Sequence, residues 1–308
     1  MDLQLQNAGV LVVGAAQGIG LAIASEFCRE SCRVALWDID PQVTSAAAEL
    51  KAQGSTQVIS AVVDATNLSQ VEEATQATIA ELGSCQHVVY AAGAGSGKYG
   101  FPFWNLQPTD WDRVLQVNLL GAVNVAHTFA PVLREHDQGS LLLLASVAGQ
   151  CGSQTDPPYS AAKAGLINFM QAAAKDFAPY GIRVNALSPG MVKTSINQSV
   201  WKAWHDSQPE NERLSYEQWA SSKIKQVSPL GRWQTPEEIA AYDAPYPDAR
   251  YKAGAQVFPA LVPVEPDMPG ADHGRAAAAW WSIRRPVYPG SPASMPAARA
   301  GNDAYETL

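Results

Sequence analysis

The 308-residue sequence is poor in charge and in the residues that build metal sites. Charged side chains make up only 16% of it, and histidine occurs five times. No run of Lys and Arg stands out: 21 bases face 29 acids, for a formal net charge of −8. That balance argues against nucleic acid or an anionic membrane surface as the main partner. The four cysteines, Cys28, Cys32, Cys85 and Cys151, form no CxxC pair and have no histidine cluster beside them. They read as reduced thiols of a cytoplasmic protein, not as disulfide partners or zinc ligands. A basic N-terminal region is missing too. Met1–Gln6 carries an acid and the apolar run Val10–Val13 is short, so no targeting signal is expected. The longest charge-free stretch, Val114–Leu133, contains Gln116, Asn118, Asn124, His127 and Thr128. It reads as a buried helix, not a membrane span.

Apolar material is plentiful, at 47% of residues, which suffices for a full core. Short apolar runs alternate with helical patterns as far as about residue 240. The runs Val10–Gly14, Val34–Trp37, Gln57–Val63, His87–Ala91, Ser140–Ala145 and Ile182–Leu187 predict strands. Between them, Gly18–Ser31, Pro41–Gln53, Leu68–Leu82, Pro108–Arg134 and Pro158–Ala178 predict helices. This rhythm predicts an α/β fold: a doubly wound, Rossmann-like parallel sheet with helices on both faces. In such a sheet the ligand lies at the C-terminal ends of the strands. Residues 190–234 break the rhythm with Trp201, Trp204, Trp219 and Trp233 among charges and amides. They read as a substrate lid, or else as a plain surface excursion.

Three motifs carry chemistry. Gly14-Ala15-Ala16-Gln17-Gly18-Ile19-Gly20 follows a strand and opens a helix. Its glycines admit a pyrophosphate to the backbone, and the helix start offers N–H donors to it. Asp38 ends the second strand, 24 residues after Gly14. Its carboxylate can accept hydrogen bonds from ribose hydroxyls, or simply cap the following turn. It would repel a 2′-phosphate, and neither Lys nor Arg occupies positions 15–17 or 39, so NAD is expected rather than NADP. Tyr159 and Lys163 stand four apart on a predicted helix and share one face. A nearby cation favours the phenolate, which would make the pair an acid/base device for an alcohol or carbonyl. Ser146, ending the fifth strand, and Asn118, in the long helix before it, would lie on the same side of the sheet.

Taken together these motifs resemble the short-chain dehydrogenase/reductase family over about residues 5–240. The resemblance implies that Gly14, Gln17, Gly18, Ile19 and Gly20 hold the cofactor's diphosphate. It implies that Asp64 and Ala65 meet the adenine, and that Ala92 and Gly93 allow close approach. Pro189, Gly190, Val192 and Thr194 would flank the nicotinamide. By the same likeness Asn118, Ser146, Tyr159 and Lys163 form a catalytic tetrad. Tyr159 is then the general acid or base, Lys163 lowers its pKa and holds the ribose, Ser146 orients the substrate oxygen, and Asn118 holds a water. The implied reaction is hydride transfer between NAD and a secondary alcohol, polyol, sugar or small ketone. Val13 and Tyr90-Ala91 depart from the family's usual residues, which are Thr and Asn-Asn.

The C-terminal part reads differently. Ten of the 21 prolines fall within residues 241–308, so long regular elements are not expected there. The family's seventh strand and its Asp-Gly-Gly ending are missing. Residues from about 240 to 281 instead resemble a fragment of a haloalkane dehalogenase. This suggests a catalytic unit spanning 1–240, joined to an atypical and partly disordered tail, 241–308. The altered end also allows another reading, a nucleotide-binding protein with impaired catalysis. A homodimer is expected, through the helices around Asn118 and Tyr159.

Overall fold

The computed structural model describes residues 5–243, apart from 55–56, 137–138, 154 and 229–230. The Pro-rich tail and most of the dehalogenase-like segment lie outside the described residues.

Six strands form one parallel sheet: β1 (Gly9–Val13), β2 (Arg33–Asp38), β3 (Gln57–Val62), β4 (His87–Tyr90), β5 (Gly139–Leu144) and β6 (Ile182–Leu187). Their order is β3-β2-β1-β4-β5-β6, with β6 at one edge among the described residues. The strands pair in register, Val13 opposite Trp37 on one side and Tyr90 on the other. The chain therefore reverses its direction of travel across the sheet between β1 and β4, which opens a crevice there.

The predicted doubly wound sheet is thus present, and β1 shows why it is buried on both faces. Val10 and Val12 point into one core; Leu11 and Val13 point into the other. The first core is closed by α1 (Gly18–Arg29) through Ile23 and Phe27, by α2 (Val43–Ala52), and by Ile239 and Ala240 of a short last helix, Pro236–Asp243. The second is closed by α3 (Leu68–Leu82), α5 (Gly121–Arg134) and α6 (Pro157–Phe177). Within it Trp37 packs edge-on against Phe129, and its indole N–H donates to Thr78 Oγ1 at 3.1 Å. Sequence marks several helix ends. Asn67 Oδ1 accepts from the Gln70 N–H at the start of α3, and Gly83 ends that helix at φ +75°. Pro157 and Pro158 open α6, where their missing N–H groups would have lacked helical partners.

Two expectations change. The helix read over Pro108–Arg134 is interrupted. It consists of α4 (Thr109–Leu115), one wide π-helical turn over Gln116–Leu120, and α5. Residues 190–234 are more than an irregular excursion. They contain α7 (Ser195–Ser207) and α8 (Tyr216–Val227), joined by a ring cluster of Trp201, Tyr216, Trp219 and Trp233. Among the described residues, no helix is long and apolar enough to cross a membrane.

Candidate active site

The crevice at the ends of β1, β2 and β4 holds a cavity of about 340 Å³. Gly14, Gln17, Gly18, Ile19 and Gly20 line it, with Asp38 from β2 and Asp64 and Ala65 after β3. Ala92 and Gly93 after β4 close its other side, as does Thr194. The glycines are required by shape. Gly14 has φ +83°, and a Cβ there would sit 2.5 Å from the Ala92 nitrogen. A Cβ on Gly20 would lie 2.0 Å from the Gly14 carbonyl oxygen. Gly18 has φ +60°, and a Cβ there would meet only the Thr194 methyl, at 3.7 Å. The first-turn N–H groups of α1 have no acceptor in their own helix. A bare backbone concavity with outward N–H donors fits a diphosphate.

Asp38 holds this corner together. Its Oδ2 accepts from the Ala16 N–H at 2.9 Å and its Oδ1 from the Asp40 N–H at 3.0 Å. The turn-capping role is therefore realised, and each oxygen keeps a lone pair for a further donor. Asp64 is similarly engaged, accepting from the Thr66 N–H at 2.9 Å and hydroxyl at 2.7 Å. Arg113 is the cation among the lining residues; the β2 corner carries Asp38 and Asp40.

A smaller cavity of about 90 Å³ adjoins this one and shares Ile19, Gly93 and Thr194 with it. Ser146, Tyr159 and Lys163 line it, together with Pro189, Gly190 and Val192. The Ser146 oxygen accepts from the Ala148 N–H at 3.1 Å, which leaves its own hydrogen to donate. Lys163 is 2% exposed, and its ammonium donates to the Leu144 carbonyl at 2.5 Å. Asn118 does not line this cavity but lies beside it, at the wide turn. Its amide nitrogen donates to the Ala94 carbonyl at 2.7 Å and the Val114 carbonyl at 2.9 Å, while its Oδ1 is buried without a partner. A Cβ on Gly93 would stand 3.1 Å from that Oδ1 and 3.7 Å from Lys163 Nζ. Two unsaturated polar atoms facing one gap are suited to hold a water.

The resemblance implies that Lys163 lowers the Tyr159 pKa, but the net direction at Tyr159 is upward. Burial is the largest cause, the Ser146 hydroxyl opposes it, and the Asp156 charge adds to it. Burial also brings Lys163 itself down to about 7, so near neutral pH it is only partly charged. Its nitrogen lies 5.6 Å from the centre of the Tyr159 ring. Spacing of i and i+4 put the two residues on one face, but it carried no information about depth.

Asp156 escaped the sequence reading. It is 7% exposed, and its Oδ2 accepts from the Ser96 N–H at 2.8 Å, tying the loop after β4 to the start of α6. Burial pushes its carboxyl pKa up. A Cβ on Gly95 would lie 2.8 Å from that oxygen, which explains the glycine. An Asp before Pro-Pro reads as a helix cap, so the only available signal pointed to a structural role. Asp156, Gly95, Lys98 and Thr155 line a third cavity of about 280 Å³, whose far wall is Ser195, Ser199 and Ala203 of α7. The loop after β4 and the segment before α6 thus form its near wall. The four tryptophans of residues 190–234 are not among its lining residues; Trp219, 4% exposed, is packed inside the ring cluster instead.

Comparison with known proteins adds an independent line. A family model described as short chain dehydrogenase matches residues 8–204. An acetoacetyl-CoA reductase from Synechocystis sp. is 31% identical over 240 residues, covering 78% of this chain and 88% of the relative. Among solved structures, an NAD+-bound xylitol dehydrogenase superposes with TM-score 0.72 at 27% identity, covering 78% of this chain and 92% of the other. An actinorhodin polyketide ketoreductase with NADPH gives TM-score 0.71 at 27% identity, covering 77% and 89%. These matches support the reductase resemblance and lend none to the dehalogenase-like segment.

Proposed function

The chain belongs to the short-chain dehydrogenase family, and from that premise we propose that it transfers hydride between NAD and a secondary alcohol or small ketone, with Tyr159 as general acid and base. It is an oxidoreductase acting on CH–OH groups with a nicotinamide cofactor. The observation that carries the finer reading is that Ser146, Tyr159 and Lys163 line one small cavity with Pro189 and Gly190, next to the glycine turn.

The dinucleotide would be held by Gly14 through Gly20 at its diphosphate and by Asp38 at the adenosine ribose. Asp64 and Ala65 would meet the adenine, and Ala92, Gly93, Pro189, Gly190, Val192 and Thr194 the nicotinamide end. When bound, it supplies the hydride acceptor or donor. The chain does the rest. Ser146 donates to the substrate oxygen, and Tyr159 takes or gives the hydroxyl proton. Lys163 and Asn118 hold a path for that proton past Gly93. The carboxylates at Asp38 and Asp40 support NAD over NADP, since a 2′-phosphate brought there would meet two negative charges.

We read residues 1–240 as the catalytic unit and the assembly as a homodimer. Leu120, the last residue of the wide turn just before α5, is an exposed apolar residue beside the helix expected to pair. Light scattering should give a dimer; a clean tetramer would overturn that part. For the reaction, the test is NADH binding by fluorescence, then turnover of xylitol with NAD and of acetoacetyl-CoA with NADH or NADPH. Turnover with NAD or NADH, lost in Tyr159→Phe, is expected. Binding without turnover on any of them would favour an impaired nucleotide-binding protein.

A further inference from the structure

We propose that Tyr90 is a positioning residue for Asn118: its hydroxyl holds the wide turn that aims the Asn118 carboxamide at the gap beside Gly93. Tyr90 stands at the end of β4, where the family often has Asn, and its side chain is fully buried. In a regular α-helix the Gly121 N–H would bond to the Val117 carbonyl. Here it reaches back to the Gln116 carbonyl instead. The Val117 carbonyl accepts from the Tyr90 hydroxyl at 2.6 Å. A buried carbonyl left without a donor is costly, so the hydroxyl favours the wide turn over the regular one.

Gly121 confirms that the hydroxyl's place is reserved. A Cβ there would lie 2.3 Å from the Tyr90 oxygen and 3.3 Å from the ring carbon bearing it. Glycine inside a helix is otherwise less favourable than Ala. Burial raises the Tyr90 pKa, so the hydroxyl stays a donor at working pH. Returning to regular helical bonding would rotate the flanking residues by roughly 100°, one residue's step around the axis. The bonds from Asn118 to Ala94 and Val114, and the aim of its Oδ1, depend on that rotation not happening.

The inference rests on the relay role read for Asn118 above, and the test separates the two. Wild type, Asn118→Ala, Tyr90→Phe and the double variant are assayed with xylitol and NAD and with acetoacetyl-CoA and NADH, well below each melting temperature. Tyr90→Phe should lower kcat about fivefold to tenfold, the worth of one hydrogen bond, with KM unchanged. The double variant should be no slower than Asn118→Ala. If Asn118→Ala is fully active, the relay reading fails. If it is impaired while Tyr90→Phe is not, or if the two losses multiply, the positioning proposal fails. Gly121→Ala gives a second approach: it should lower kcat in wild type but add nothing in the Tyr90→Phe background, and equal losses in both would count against the proposal. A crystal structure of Tyr90→Phe is informative whatever the turnover. Loss of the Asn118 bond to the Ala94 carbonyl supports the proposal, and an unmoved Asn118 overturns it.

Discussion

The two sides of the crevice are built in opposite ways. On the β1–β2 side recognition is made of backbone and of missing side chains. Gly14 and Gly20 leave room, α1 presents N–H groups, and Asp38 is half satisfied by the Ala16 and Asp40 amides. On the β4–β5 side it is made of buried polar groups. Lys163, Asn118 and Asp156 are each less than a tenth exposed, and Asn118 and Asp156 each keep an oxygen without a partner. The first side is shaped by packing that also stabilises the fold. The second works against the fold, because burying charge and unpaired oxygens is costly. Substitutions should therefore separate stability from function on one side and merge them on the other.

The largest effect is expected at Lys163. Lys163→Met should lower turnover a hundred- to ten-thousandfold, the usual worth of acid/base assistance. It should also make the protein more stable. Lowering this pKa from 10.5 to about 7 corresponds to charge burial on the order of 5 kcal/mol. That penalty is full below pH 7 and is lifted as pH rises toward 10.5, because only the unfolded chain then keeps the proton. Denaturant melts at several pH values check this. Wild type should gain on the variant between pH 7 and 10, and a constant difference would contradict it.

On the glycine side, Gly20→Ala should cost about 3 kcal/mol of stability by overpacking and abolish NAD binding together with it. Asp38→Ala should weaken NAD about tenfold, for one lost charged hydrogen bond, and narrow the preference over NADP. Calorimetry with both dinucleotides checks each. The smallest effect is expected at Asp156→Asn. Removing a charge that raises the Tyr159 pKa should move the pH profile for alcohol oxidation to lower pH, by less than about one unit.

The same contrast governs what the sequence made legible. Shape announces itself in residue type. The apolar runs of β1, β2 and β5 and the glycines before α1 were readable because only such residues suit those places. Tyr159 and Lys163 could be put on one face by helical spacing alone. Depth was not readable, and depth decides the rest. Nothing in Val114–Leu133 marked the wide turn at Gln116–Leu120, since its cause is a tyrosine hydroxyl from a strand 27 residues earlier. The sequence carried no sign of how deeply Asp156 is buried, nor that burial raises the Tyr159 pKa and lowers that of Lys163.

The proposed reaction depends on the proton handled by Tyr159. The direct measurement is single-turnover NADH formation from xylitol in wild type and Tyr159→Phe, beside the NAD affinity of each. NAD affinity should be unchanged while NADH formation falls a hundredfold or more, as for loss of a general base. Equal rates in the two proteins would contradict the assignment of this hydroxyl to the chemistry.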